Sequence, residues 1–247
     1  MEEIINILNV DGKVLVKDLS SRFNVTEDCI RKDLKTLEKE GRIKRTYGGA
    51  VLKRRSANNY DIVNRKAVNI EPKRQIAKKA FDIIKDRETI FLDISTTNIL
   101  LAELLAASDR KITVITNMID IVKTFSNNNT IEVICVGGIF NKNLDGFIGS
   151  TAIENIMKYK VDKAFVGSCG VNMYDKSVTT FDVEDGNTKK AIINSSKETY
   201  LVMDNGKFYF DGVYKFADIY DIDAIITEET PEKNICKILM GNNIGII

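Results

Sequence analysis

From residue 89 onward, short apolar runs alternate with helical stretches, and this rhythm limits the fold more than any other feature of the chain. The runs are TIFLD (89–93), ITVIT (112–116), IEVICV (131–136), KAFVG (163–167), TYLVM (199–203), AIIT (224–227) and IGII (244–247). Most are short and continuously apolar, as strands covered on both faces should be. Helical stretches near 97–107, 118–126, 149–158, 184–195 and 231–240 lie between most of them. The expectation is an α/β domain over 73–247 with a mainly parallel sheet.

The first quarter of the chain follows a different pattern. Ile4, Ile5 and Leu8 sit at helical spacing before the stop Asp11-Gly12, and KVLV (13–16) reads as a short strand. A second helix over 17–23 places Leu19 and Phe23 four apart. After the turn Asn24-Val25-Thr26, with Thr26 as N-cap, a third helix runs from about 27 to 40 and ends at Gly41. RIKRTYGGAVL then reads as a hairpin turning at Gly48-Gly49. Helix, strand, helix, turn, helix and hairpin describe a winged helix-turn-helix over 1–56. The polar, basic stretch after it gives a linker over 57–72, and Pro72 opens an amphipathic helix with Ile76, Ala80, Ile83 and Ile84 on one face.

Charge separates the two parts. Residues 1–66 carry 15 Lys and Arg against 10 Asp and Glu, whereas the remainder carries 21 against 25. On the third helix Ile30, Leu34 and Leu37 form the core face, while Arg31, Lys32, Lys35 and Lys39 spread over the opposite one. An isolated helix would carry such a face for solubility. Placed on the second helix of a helix-turn-helix, and continued by Arg42, Lys44 and Arg45 into the hairpin, it fits a recognition helix in a major groove with a wing beside the backbone.

The chain has no histidine, and its four cysteines stand singly at 29, 135, 169 and 236. Histidine-dependent nucleophile schemes and the usual zinc sites are thereby excluded, so any catalysis would fall to carboxylates, lysines or a cofactor. No apolar run reaches membrane-spanning length, and the Met1-Glu2-Glu3 start is acidic where a secretory signal is basic. A cytoplasmic protein with reduced, mostly buried cysteines, no metal and no cofactor is expected.

Ligands of open α/β sheets bind beyond the C-terminal strand ends. There the chain places DISTTN (93–98), Thr116-Asn117, Gly137-Gly138, GSCG (167–170) and DNGK (204–207), while FDVEDGNTK (181–189) brings Glu184, Asp185 and Lys189 to a helix start. Taken singly, these are an N-cap, a turn and a solvated lysine. Their recurrence at successive strand ends points to one polar pocket for a small phosphorylated or polyhydroxylated molecule.

These residues resemble the DeoR family of bacterial transcription regulators over nearly the whole chain. VKDLSSRFNVTEDCIRKDLKTLEKEGRIKRTYGGA is similar to that family's helix-turn-helix signature. FLDISTTN, VITN, VGG, DKAFVGSCGV, VEDGNTKKA and MDNGKF are similar to its sensor domain. The resemblance implies a sensor fold related to ribose-5-phosphate isomerase and glucosamine-phosphate deaminase that binds a phosphorylated sugar or related metabolite without turning it over. It implies double-stranded operator DNA and a small effector as partners, and a homo-oligomer, dimer or tetramer, with no membrane role. Carried onto this chain, DNA contacts centre on Thr26, Arg31, Lys32, Lys35, Arg45 and Tyr47. Effector contacts fall on Asp93, Ser95, Thr96, Thr97, Asn117, Gly137, Gly138, Glu184, Asp204 and Lys207. The chain departs from the family pattern at Ser95, where a glycine is usual, at Gly206, where a serine is usual, and at Cys29, where a threonine is usual. The expected function is a repressor of carbohydrate-metabolism genes. The alternatives are an isomerase-like enzyme with a DNA-binding appendage, or a helix-turn-helix used only for protein contacts.

Overall fold

The computed structural model describes residues 1–57 and 62–247. The N-terminal unit runs α1 (Glu2–Asp11), β1 (Lys13–Leu15), α2 (Val16–Phe23), α3 (Glu27–Lys39), β2 (Ile43–Thr46) and β3 (Gly49–Leu52). Its core is a closed apolar cluster that includes Ile4, Leu8, Leu19, Ile30, Leu34, Leu37 and Ile43. The strands pair antiparallel in the order β1-β3-β2, which is the wing. Gly49 lets β3 approach β1: a Cβ there would sit 1.9 Å from the Val14 carbonyl oxygen. The hairpin turns at Tyr47-Gly48, one residue earlier than the glycine pair suggests, because Thr46 already faces Gly49 across the ladder.

The segment expected as a linker is structured where it is described. β4 (Arg55–Ser56) is followed by α4 (Ile62–Lys66) and α5 (Ile70–Asp82), with residues 58–61 of the expected linker outside the described residues. β4 pairs in parallel with Phe210-Asp211 of the C-terminal domain, so the chain is already held by that domain at residue 55.

The C-terminal domain opens with β5 (Thr89–Leu92), α6 (Thr96–Ala106), β6 (Thr113–Thr116), α7 (Ile119–Thr124) and β7 (Glu132–Cys135). A hairpin, β8 (Ile139–Asn141) with β9 (Gly146–Ile148), leads to α8 (Ser150–Ile156) and the long strand β10 (Val161–Gly167). Next come β11 (Gly170–Asn172), β12 (Ser177–Thr180), α9 (Val183–Asn194) and β13 (Ser196–Val202). A 3-10 turn (Asn205–Tyr209) precedes β14 (Phe210–Asp211) and β15 (Tyr214–Asp218), and β16 (Ala224–Ile226), α10 (Lys233–Gly241) and β17 (Gly245–Ile246) finish the chain.

All seven apolar runs become strands of one parallel sheet, ordered β17-β16-β13-β10-β5-β6-β7. One apolar cluster, with α5, α6 and α7, covers one face; a second, with α8, α9 and α10, covers the other. Covering both faces removes any need for in–out alternation, which is why the runs are continuously apolar. From β5 the chain proceeds to β6 and β7 on one side, then crosses back to place β10 on the other. The crevice between β5 and β10 is therefore the switch point of the sheet. β11, β12 and β15 add a small antiparallel sheet beside it.

Among the described residues, two contacts between the domains stand out. α1 lies against α10, where Asn234 Nδ2 donates to the Asn6 carbonyl at 3.3 Å. Nearby, Gly12 faces Tyr174 so closely that a Cβ at residue 12 would overlap its ring. The second place is Arg54 with β4 against β14. Of the four free cysteines only Cys169 is buried, since Cys29 and Cys135 are exposed and Cys236 is half-buried. The expectation of mostly buried thiols is corrected accordingly: Cys29 sits on the outer side of α3 and Cys135 ends the edge strand β7.

Candidate functional site

The basic face of α3 projects away from the apolar cluster. Thr26 caps the helix, its Oγ1 accepting from Cys29 N–H at 3.3 Å. Lys32 and Lys35 are exposed, while Arg31 is turned back onto its own helix, pairing with Glu27 at 2.6 Å and Asp28 at 2.9 Å. Arg45 is spaced 3.9 Å from Glu38, and its backbone N–H donates to the same carboxylate. Tyr47 stands fully exposed at the wing tip. A cationic helix face flanked by an exposed wing aromatic is a surface shaped for a duplex, with Lys32 and Lys35 its unneutralised charges.

A cavity of about 260 Å³ opens at the switch point beyond the ends of β5, β10 and β13. That volume lies just below the range of ligand sites, which run from about 300 Å³ upward, and it suits a small metabolite rather than a dinucleotide. At the start of α6, Ser95, Thr96 and Thr97 line one wall, and Ser95 Oγ accepts from Thr97 N–H at 3.2 Å. Ser95, at the position of the family's glycine, has an ordinary extended backbone (φ −158°) and caps α6. Asp204 and Lys207 line the wall after β13. Lys207 Nζ donates to the Ser168 carbonyl, and burial, aided by Arg65 and Lys189, pushes its amine below the usual lysine range.

Asp93 lies beneath the wall rather than in it. Fully buried, it accepts from Gly167 N–H at 3.0 Å and from Lys189 Nζ at 2.5 Å, tying β5 to β10 at the switch point. Its other oxygen, Oδ1, is buried without a partner. Lys189 also faces Asp185 at 3.4 Å; against the cost of burial, Asp185 and Asp93 together hold its amine above the usual range, so it stays charged. Asp185 in turn accepts from the Thr180 hydroxyl at 2.5 Å.

Besides Asp93, four of the expected effector residues lie off the cavity wall, and each has a physical reason. Glu184 is exposed at the first turn of α9, while its neighbour Asp185, one helical step on, faces inward. Gly137 and Gly138 follow β7, the edge strand, two strands away from the switch point; Gly138 instead permits close packing against Ile148 and Ala152. Asn117 follows β6 and donates to the Phe147 carbonyl at 2.9 Å, holding the β8–β9 hairpin. Conversely, sequence reasoning missed Arg65, Asn69 and Lys73, which enter the wall from α4 and α5, together with Thr180 and Ser168. The signal available for Arg65 and Lys73 was their charge within an otherwise uninformative polar segment, and Asn69 gave none. Among the described residues, no group of three or more histidine, cysteine or acidic side chains is placed to hold a metal, and no helix is long and apolar enough to cross a membrane.

Comparison with known proteins assigns both halves. The DeoR-like helix-turn-helix domain matches residues 1–56, and the DeoR C terminal sensor domain matches residues 68–229. The chain is 30% identical to the HTH-type transcriptional repressor GlcR of Bacillus subtilis, across 99% of this chain and 93% of that protein. It is 30% identical to the glycerol-3-phosphate regulon repressor of Escherichia coli across 98% and 95%, and 31% identical to the lactose phosphotransferase system repressor of Lactococcus lactis across 92% and 89%. Among solved structures, ribose 5-phosphate isomerase A from Methanocaldococcus jannaschii is similar at 17% identity and a TM-score of 0.42, over 56% of this chain and 54% of that one. A basic winged helix-turn-helix in front of a sheet with a cationic pocket at its switch point, matched by these domains over most of its length, makes the chain a member of the DeoR family.

Proposed function

We propose that the protein is a repressor of carbohydrate-metabolism genes, and that a small phosphorylated sugar or related metabolite in the switch-point cavity controls its grip on operator DNA. The observation that carries this reading is the pairing within one cavity of a hydroxyl-lined helix start, Ser95 to Thr97, with a half-buried lysine, Lys207. The hydroxyls and N–H groups suit phosphate oxygens, and the lysine supplies the opposite charge. Asp204 and Asp185 offer acceptors for sugar hydroxyls at the same cavity. The names of the relatives, repressors of a glycerol-3-phosphate regulon and of a lactose phosphotransferase system, support the assignment to sugar-related genes.

In this reading Lys32, Lys35 and, once released from its carboxylates, Arg31 contact the duplex, with Thr26 at the helix start and Arg45 and Tyr47 on the wing. Two copies in a dimer or tetramer occupy paired half-sites in the cytoplasm. In this reading the effector is bound without turnover, and Lys189, the buried amine nearest Asp93, is held as a cation between two carboxylates as part of the scaffold. Effector binding shifts DNA affinity only through a difference in effector affinity between DNA-competent and incompetent states.

The test is fluorescence anisotropy of the full chain on labelled DNA from upstream of its own gene, with salt varied and a panel of sugar phosphates added. Salt-steep binding shifted by one compound is the expected result. Consumption of a compound without any DNA binding would replace this reading with the isomerase-like one.

A further inference from the structure

A second cavity, of about 210 Å³, lies in the joint between the two domains. Leu8 of α1 and Val51 and Leu52 of β3 bound it from the winged side, and Met173, Phe208 and Ile235 bound it from the sensor side. Leu8, Met173, Phe208 and Ile235 are buried. Its wall runs from the α1–α10 contact to Arg54, and it shares no lining residue with the cavity at the switch point.

The polar groups of this wall are engaged elsewhere. Arg54, its charged residue, donates to Asp211 Oδ1 at 2.7 Å and to the carbonyls of Phe208, Val171 and Phe210. Asn172 Oδ1 accepts from Tyr174 N–H at 2.9 Å, and the Tyr209 hydroxyl is hydrogen-bonded to Glu232. An ionic ligand would find no free counter-charge here, and a buried water would find few of the ~2–4 polar partners it needs. What the wall does offer is apolar and aromatic: the rings of Phe208, Tyr174 and Tyr209 and the thioether of Met173. A dry cavity of roughly 150 Å³ admits benzene, so this one has room for a fused pair of rings.

We propose that the joint cavity is a second ligand site, which takes a small neutral aromatic molecule of about the size of indole and clamps the winged domain to the sensor. It is independent of the effector reading above, in its place and in its chemistry. The guest replaces empty space by apolar contact with both domains at once. It therefore binds only while they are docked, and by mass action it favours that arrangement. A charged or strongly hydrated molecule would lose its hydration without finding a partner, so phosphorylated compounds are excluded from this site.

The experiment titrates indole into the full chain labelled with carbon-13 at its methionine methyl groups. Met173 lines the joint cavity and Met203 the switch-point cavity, so the two methyl resonances, assigned with Met173→Leu and Met203→Leu, report on the two sites separately. The expected result is a saturable ring-current shift of Met173 with Met203 unmoved, together with slowed hydrogen exchange across residues 49–54. Val51→Phe, which fills the cavity from the winged side, should abolish the Met173 shift. A shift of Met203 alone would overturn the proposal by placing the guest in the other cavity. An unsaturable drift of the exposed Met157 and Met240 would overturn it as surface partitioning. No shift up to the solubility limit of indole would also overturn it, and unchanged exchange at 49–54 with Met173 saturated would overturn the clamping. These readouts use the wild-type chain, so they decide the matter even if Val51→Phe folds poorly.

Discussion

Arg54 Nε donates to Asp211 Oδ1 at 2.7 Å, and the same guanidinium reaches the carbonyls of Phe208, Phe210 and Val171. Arg54 comes two residues after the wing strand β3, and Phe208 belongs to the 3-10 turn that carries Lys207. One half-buried side chain thus spans from the wing to the turn that lines the cavity. Arg54→Ala should leave DNA binding and effector binding individually measurable. It should pull the effector's influence on DNA affinity toward unity, from the roughly 5–150-fold that couplings of 1–3 kcal/mol produce. Loss of a charged fan of bonds should also lower stability by about 2–3 kcal/mol. Anisotropy with and without effector, beside calorimetric unfolding, separates the two effects; undiminished coupling would assign the signal to the α1–α10 contact instead.

The intrahelical pairing of Arg31 sets a second prediction. Glu27→Gln removes the shorter of its two ion pairs and should strengthen DNA binding a few-fold, because exposed pairs are worth about 0.2–1 kcal/mol. Lys32→Ala and Lys35→Ala should each weaken binding and flatten the plot of log affinity against log salt by about one phosphate contact. Salt titrations by anisotropy measure both.

Lys73 gives a pH dependence with a definite sign. Its amine titrates near 8 in the folded, ligand-free protein but near 10.5 when unfolded. Between those values the folded state has given up a proton that the unfolded state keeps, so the contribution of Lys73 to ligand-free stability grows as pH rises through this window and is lost as pH falls through about 8. An anionic ligand favours the charged amine, so its binding should weaken over the same window and take up protons near pH 8. Calorimetry in two buffers of different ionisation heat measures the uptake, and Lys73→Gln should abolish it.

The buried Asp93–Lys189 pair is expected to be costly to break singly. Lys189→Met leaves two buried carboxylates, Asp93 and Asp185, without their cation and should cost about 3–5 kcal/mol, whereas the double variant with Asp93→Leu should recover the part of that loss due to Asp93 and leave the part due to Asp185. Denaturant unfolding of the full chain checks it, and failure of the double variant to recover would mean that Asp93 holds Gly167 and β10 in place independently of the lysine.

How much of this was legible in the sequence depends on burial. The parallel strands could be read because both faces are covered, which imposes an apolar run at each position from Thr89 to Ile246. The antiparallel additions β8–β9 and β11–β12–β15 could not: they are short, partly exposed and built from mixed residues such as Ile139-Phe140-Asn141. Within the site, residues at the ends of central strands were recognisable, but Gly137 and Gly138 required the strand order, which local pattern does not contain. The helix start offers acids at the adjacent positions Glu184 and Asp185, and only packing against Tyr214 and Phe216 at Gly186 fixes which one turns inward. Arg65 was illegible for a further reason. α4 spans only five residues, too few for any period to show.

The winged domain is hung on the sensor like a door on two pins, one at Asn6 and Asn234, the other at Arg54 and Asp211. If the winged domain turns about the line that joins them, α3 changes its angle more than its distance, and on the paired half-sites of the proposed oligomer, about 34–36 Å apart, a tilt of that kind would take both recognition helices out of register with the groove at once.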